Sequence, residues 1–228
     1  MSEVDAVFFD FGDTLATLSP SREELFTQAA RSIGLQLEFE TVRRAYQVVN
    51  FHHKYSSVHV SDRNDFYHHY NEQLAEALGI STHLARLQPA LAVQFSKNKK
   101  WKLFAEVPQV LGRLRAQDLP LALVANWDSN LSDLVGQLGI RQEFSAIVPS
   151  QAAGVEKPDP AIFLRAVEAL SLSVETDRIL YVGNEYRADV IGARSAGLTP
   201  VLIDRNGCYN HADCLRFASL LDWLNSIE

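Results

Sequence analysis

A chain of 228 residues with a formal charge of −7 is too long for one small core and too acidic for a general nucleic-acid binder. Its 47% hydrophobic and 21% charged residues suit a soluble globular protein, and no apolar run approaches the roughly 18 residues of a membrane span. Two cysteines make no disulfide framework, and the acidic start Met1-Ser2-Glu3-Val4-Asp5 has no signal-peptide h-region, so a reducing cytoplasm and no membrane or nucleic-acid partner are expected.

Residues 4–9, VDAVFF, read as a short, largely apolar strand that runs into Asp10, as in a sheet covered on both faces. Ser21 and Glu24 form a capping box that opens a helix to about Ser32. Phe66, Tyr70, Leu74 and Leu78 recur every fourth residue until Gly79, and Leu84, Leu87, Leu91 and Phe95 make another stripe. Residues 20–100 show no strand pattern, and a block of ~80 residues is too long for a plain loop. It reads as an all-helical cap, residues 18–103, inserted into a core built from 1–17 and 104–228.

Beyond the block, strand and helix alternate. Val107, Val110, Leu111 and Leu114 form a helical stripe, followed by a strand at 119–125. Leu131, Leu134, Val135 and Leu138 form the next helix, closed by Gly139, before a short strand at 145–148. Pro160 opens a helix with Ile162, Phe163, Ala166, Val167 and Leu170 on one face, and strands follow at 178–182 and 198–204. This rhythm specifies an α/β fold with a parallel, Rossmann-like sheet and right-handed crossovers.

Ligands of such sheets sit outside the carboxyl ends of the strands. That rule gathers Asp10, the run Ala125-Asn126-Trp127-Asp128, Lys157, and Gly183-Asn184-Glu185 with Asp189 one turn on. A hard cation between carboxylates with a lysine opposite is a natural phosphate site.

The segments FFDFGDTL, LALVANWDSNL, GVEKPDPAIF and ILYVGNEYRADVIGARSAG resemble, in order and spacing, the four motifs of the haloacid dehalogenase superfamily. The likeness spans nearly the whole chain and is to the helical-cap branch, which holds phosphoglycolate-phosphatase-like enzymes, nucleotidases, sugar phosphatases and dehalogenases. It implies a Mg²⁺-dependent phosphomonoester hydrolase acting on a small phosphorylated metabolite, as a monomer or homodimer. By the resemblance, Asp10 is the nucleophile that becomes an aspartyl-phosphate. Thr14 holds the loop and contacts phosphate. Asn126, at the end of its strand, is read apart from the resemblance as meeting phosphate through its backbone or side chain, or else as a turn former. Lys157 pairs with Asp10 and the phosphoryl oxygens. Asp10, the Gly12 carbonyl, Asn184 and Asp189 hold the metal.

Three positions depart from the family pattern. Gly12 stands where phosphatases carry a second aspartate, which protonates the leaving oxygen and later activates water; such help is worth ~10²–10⁴-fold. Ala125 replaces a hydroxyl that meets the phosphoryl group, and Asn184 replaces an aspartate. Asp13 is the first candidate for the missing acid, with Glu185 or a cap histidine as others. A catalytically silent relative that binds a phosphate ligand or partner is the alternative reading, and a dehalogenase the third.

Other features have plainer readings. His52, His53, His59, His68, His69 and His83 are expected on polar helix faces. Cys208, His211, Asp213 and Cys214 match no common zinc spacing. Trp127 either walls a pocket or packs inside.

Overall fold

A computed structural model describes residues 4–53, 63–98, 100–172 and 175–227. His59 lies outside the described residues. The chain divides into two compact units, one of residues 1–17 with 102–228 and one of 18–101.

In chain order the elements are β1 (Ala6–Phe9), β2 (Ala16–Ser19), α1 (Arg22–Ser32), α2 (Phe39–His53), α3 (Arg63–Ala77), α4 (Leu84–Asn98), β3 (Lys100–Leu103) and α5 (Val107–Arg115). There follow β4 (Leu121–Ala125), α6 (Leu131–Gln137), β5 (Ala146–Pro149), α7 (Ser150–Ala153) and α8 (Pro160–Ala169). The chain ends with β6 (Ile179–Gly183), a π-helical turn (Tyr186–Ile191), α9 (Gly192–Ser195), β7 (Thr199–Ile203), β8 (Leu215–Phe217) and α10 (Leu220–Ile227).

The first unit is a six-stranded sheet in the order β5-β4-β1-β6-β7-β8, with every neighbouring pair parallel. This is the doubly wound order, and its direction reverses between β1 and β6. β1, β4 and β6 are buried along their whole length, which is why they are uninterrupted apolar runs. Phe8, Val124, Ile162, Phe163 and Tyr181 pack in one core layer. α8 begins at Pro160, with Asp159 capping the Ala161 N–H at 2.9 Å, and buries Ile162, Phe163 and Ala166 against the sheet.

The second unit holds α1 to α4. Ser21 Oγ accepts the Glu24 N–H at 3.2 Å, and Glu24 Oε2 accepts the Ser21 N–H at 2.7 Å, so the capping box starts α1 as expected. Phe26, Ala29, Val42, Tyr46, Tyr70, Leu74, Leu87 and Leu91 form this unit's own core.

Some elements differ from the sequence expectation. α2 carries Val42, Ala45, Tyr46 and Val49 at helical spacing, and α10 buries Leu220, Trp223 and Leu224; a motif-led reading passes over both. β2 and β3 form a separate two-stranded sheet at the ends of the helical block. Four residues each, with exposed and covered positions alternating, they carry too little apolar pattern to be read as strands.

Candidate active site

The switch point between β1 and β6 gathers three buried charged residues, Asp10, Lys157 and Asp189. Asp10 follows β1, and its N–H is bound to Val182 O of β6 at 2.9 Å, which fixes the start of the loop. Thr14 is fully buried and donates to Asp10 Oδ2 at 3.1 Å. Lys157, in the turn before α8, is 5% exposed and donates from Nζ to Asp10 Oδ1 and Asp189 Oδ1, each at 2.7 Å. Asp189 is 1% exposed and comes from the π-helical turn.

One ammonium thus stands between two carboxylates in a largely buried region. Burial pushes the Asp10 carboxyl up to about 7, against the pull of Lys157 and with the charge of Asp189 adding to the rise. Burial works against the Lys157 charge, yet Asp10 and Asp189 together hold it well above the usual lysine range. Neither acid is a surface acid, and Lys157 is no solvated loop lysine.

Asp189 is aimed by its backbone context. Its Oδ2 accepts the Glu185 N–H at 2.8 Å. The carboxylate fills the space beside Gly183, where a Cβ would come within 2.3 Å of it. A six-residue π turn is the kind of irregularity that re-aims a side chain at functional sites.

Asn126 follows β4 and forms a two-way clasp with the lysine's backbone. Its Nδ2 donates to Lys157 O at 2.9 Å, and its Oδ1 accepts the Lys157 N–H at 2.7 Å. Both ends of the Asn126 side-chain amide are thus engaged in placing the lysine. Trp127 sets its ring edge-on to Phe11 at 5.1 Å, which favours packing over a pocket wall, and its backbone N–H donates to Ser150 Oγ at 3.0 Å.

The amide of Asn184 sits against Gly12 O, Asp10 Oδ2 and Thr14 Oγ1, and its hydrogen bonding is satisfied with the nitrogen donating to them at 3.1, 3.3 and 3.2 Å. Asp13 has a left-handed backbone (φ 59°), and its carboxylate accepts from Thr17 at 3.0 Å. Tyr181 of β6 was absent from the motif-based set, yet its phenol accepts from Lys157 Nζ at 2.9 Å and donates to Val124 O at 2.9 Å. A phenol inside an otherwise aliphatic buried strand needs such a partner, and that is the signal the sequence offers.

The donors suit a hard cation. Asp10 Oδ2 and Gly12 O present oxygen on one side of the loop, and the Asn184 amide would add its oxygen only by turning over from the orientation in which it donates to them. Asp189 Oδ1 is engaged by Lys157. Among the described residues no group of three or more His, Cys, Asp or Glu side chains could hold a metal alone.

A further support loop lies behind Thr14. Arg205 donates to Thr14 O at 2.9 Å, lies 3.6 Å over the Phe104 ring, and stands 2.7 Å from Glu106 Oε1. That last contact is an ion pair without the alignment of a hydrogen bond.

Among the remaining sequence candidates, His68, His69 and Asp213 have other partners. His68 and His69 are at least half exposed on α3 and pair with Glu72. Asp213 is held by Tyr186 at 2.5 Å and by Arg194 at 3.0 Å.

Residues 4–197 match the family model of the haloacid dehalogenase-like hydrolases. The chain belongs to this family. Among curated relatives of these hydrolases, the human haloacid dehalogenase-like hydrolase domain-containing protein 3 is 29% identical over 215 residues, 88% of this chain and 82% of that one. A glyceraldehyde 3-phosphate phosphatase of Methanopyrus kandleri is 30% identical over 89% of this chain and 84% of its own. The HAD phosphatase structure from Thermococcus onnurineus has the same fold, with a TM-score of 0.60 at 22% identity over 98% of each chain.

No helix among the described residues is long and apolar enough to cross a membrane.

Proposed function

We propose that the chain is a Mg²⁺-dependent phosphomonoester hydrolase of small phosphorylated metabolites, working through an aspartyl-phosphate on Asp10. The observation that carries this reading is the Lys157 ammonium held between the Asp10 and Asp189 carboxylates at the sheet's switch point. Phosphatase relatives of similar length, such as the Methanopyrus enzyme, support the reaction class.

A carboxylate oxygen of Asp10 attacks phosphorus and the ester P–O bond breaks, the leaving alkoxide taking a proton from solvent; water then attacks the acyl-phosphate, gives its proton to solvent and releases inorganic phosphate with the carboxylate restored. Lys157 neutralises the carboxylates and the incoming phosphoryl oxygens. Thr14 and the Asn126 clasp keep nucleophile and lysine in register. Asp10, Gly12 O, Asn184 and Asp189 would hold Mg²⁺. The ion would supply Lewis-acid neutralisation of the phosphoryl oxygens. The helical unit, residues 18–101, serves as the cap that selects the substrate.

Turnover is slow, because Gly12 and Ala125 bring no proton donor or hydroxyl of their own. The same two positions favour a second reading, a phosphate-binding relative without catalysis. The decisive experiment measures phosphate release from a panel of phosphomonoesters, with and without Mg²⁺, for wild type and Asp10→Asn. Release that needs Mg²⁺ and vanishes in the variant is expected. Retained phosphate binding with no release from any substrate gives the second reading, and metal-independent halide release from 2-haloacids would make the protein a dehalogenase.

A further inference from the structure

A lysine ammonium has three N–H donors, and each of those on Lys157 already has a protein acceptor: Asp10 Oδ1 at 2.7 Å, Asp189 Oδ1 at 2.7 Å and Tyr181 Oη at 2.9 Å. An oxyanion arriving beside Asp10 gains a hydrogen bond from Lys157 only when one of these three is given up. Two of them run to carboxylates and are the strong, charge-assisted ones. The third runs to a neutral phenol.

That phenol does not depend on the lysine. Its own proton goes to Val124 O at 2.9 Å, with Asp189 Oδ1 a further 3.2 Å neighbour. Its ring is fully buried and wedged edge-on against Phe163 at 4.8 Å, so the oxygen stays where it is when the lysine turns away.

We propose that Tyr181 is a stand-in acceptor: it holds the third proton of Lys157 before the ligand binds and yields it to a phosphoryl oxygen when a phosphate arrives. This rests on the phosphatase reading above, which supplies the phosphate anion beside Asp10. Tyr181 is a positioning residue, since it acts on the ligand only through Lys157.

The arrangement has a thermodynamic signature of its own. Without the phenol oxygen, one buried ammonium N–H is orphaned in the unliganded protein and paired in the phosphate complex. Binding then relieves a penalty that the wild type never carries. The bond lost at Val124 O is lost in both states and cancels from the affinity. Removing the hydroxyl therefore tightens phosphate binding by about 3- to 10-fold while lowering the stability of the unliganded protein.

The test is calorimetric titration of the full chain with inorganic phosphate in Mg²⁺ buffer, alongside thermal unfolding with and without phosphate. It uses wild type, Tyr181→Phe, and a second variant with 4-fluorophenylalanine at the same position, which keeps the bulk of the phenol but accepts hydrogen bonds poorly. Both variants are expected to bind phosphate more tightly and to unfold at lower temperature, with the gap in unfolding temperature narrowing as phosphate is added. Unchanged or weaker phosphate affinity in folded variants overturns the proposal, because a purely structural tyrosine would cost stability alone. If the wild type itself binds no phosphate, the phosphatase reading falls and this inference with it. If the wild type binds and the variants do not tighten, only this inference falls.

Discussion

Asn126 and Lys157 hold each other through two hydrogen bonds, side-chain amide to backbone, across 31 residues of sequence. The strand end at β4 thereby dictates where the lysine's main chain lies, and so where its ammonium meets Asp10. Asn126→Ala is expected to lower kcat by about 10- to 100-fold, because small misplacements of a charged group cost that much. KM should move less, and stability should fall by about 1–3 kcal/mol from the lost pairings. Steady-state kinetics and denaturant unfolding check both.

Asp10 must be ionised to attack, and burial holds its carboxyl at about 7. At limiting Mg²⁺, kcat/KM is expected to rise with pH through the neutral range. Added Mg²⁺ should shift this limb to lower pH, since a cation near Asp10 stabilises its charge as Lys157 does. Stability carries the opposite slope. The folded protein keeps the Asp10 proton up to about 7 whereas the unfolded chain loses it near 3.8. Metal-free wild type should therefore lose stability relative to Asp10→Asn as pH rises between these values. Unfolding curves across that window, with no such divergence, would rule out the raised carboxyl.

Gly12 tests how much of the rate is missing for want of an acid. Gly12→Asp places a carboxyl two residues after the nucleophile. Turnover of alkyl phosphates, whose leaving groups need a proton, is expected to rise by at least about 10-fold, within the ~10²–10⁴ range of general acid help. Aryl phosphates with acidic leaving groups should gain much less. The comparison of the two substrate series is the measurement.

Arg205 supports the nucleophile loop from behind by its bond to Thr14 O and its contact with Glu106. Arg205→Ala is expected to cost about 1–3 kcal/mol, as it leaves a part-buried carboxylate without its cation. Double replacement with Glu106→Gln should recover part of that loss. Thermal unfolding of the single and double variants reads the difference.

The sheet was legible because β1, β4, β6 and β7 are mostly buried and so appear as apolar runs between helical stripes. β8 was not, since it is a three-residue edge strand with Leu215 half exposed. Asp10, Lys157 and Asp189 could be nominated because each lies at or beyond a strand's carboxyl end. Their partners could not. The Asn126 clasp needs two loops distant in sequence to be brought side by side. The aim of Asp189 depends on a π turn that residue spacing does not announce, and Tyr181 lies in an ordinary strand pattern. Asp13, the nearest acid in sequence to the gap at Gly12, has a left-handed backbone and a carboxylate that accepts from Thr17, neither of which residue spacing announces.

Gly183 has a bearing on how this site can change over generations. The Asp189 carboxylate occupies the spot where any larger residue at 183 would put its Cβ, 2.3 Å away. Random drift at position 183 is therefore blocked while the acid remains, whereas loss of the acid opens the position. The two substitutions have a permitted order, acid first. A descendant that had abandoned chemistry would be expected to lose Asp189 before a side chain accumulates at 183, and a lineage still holding the bare glycine retains the room for the acid to return.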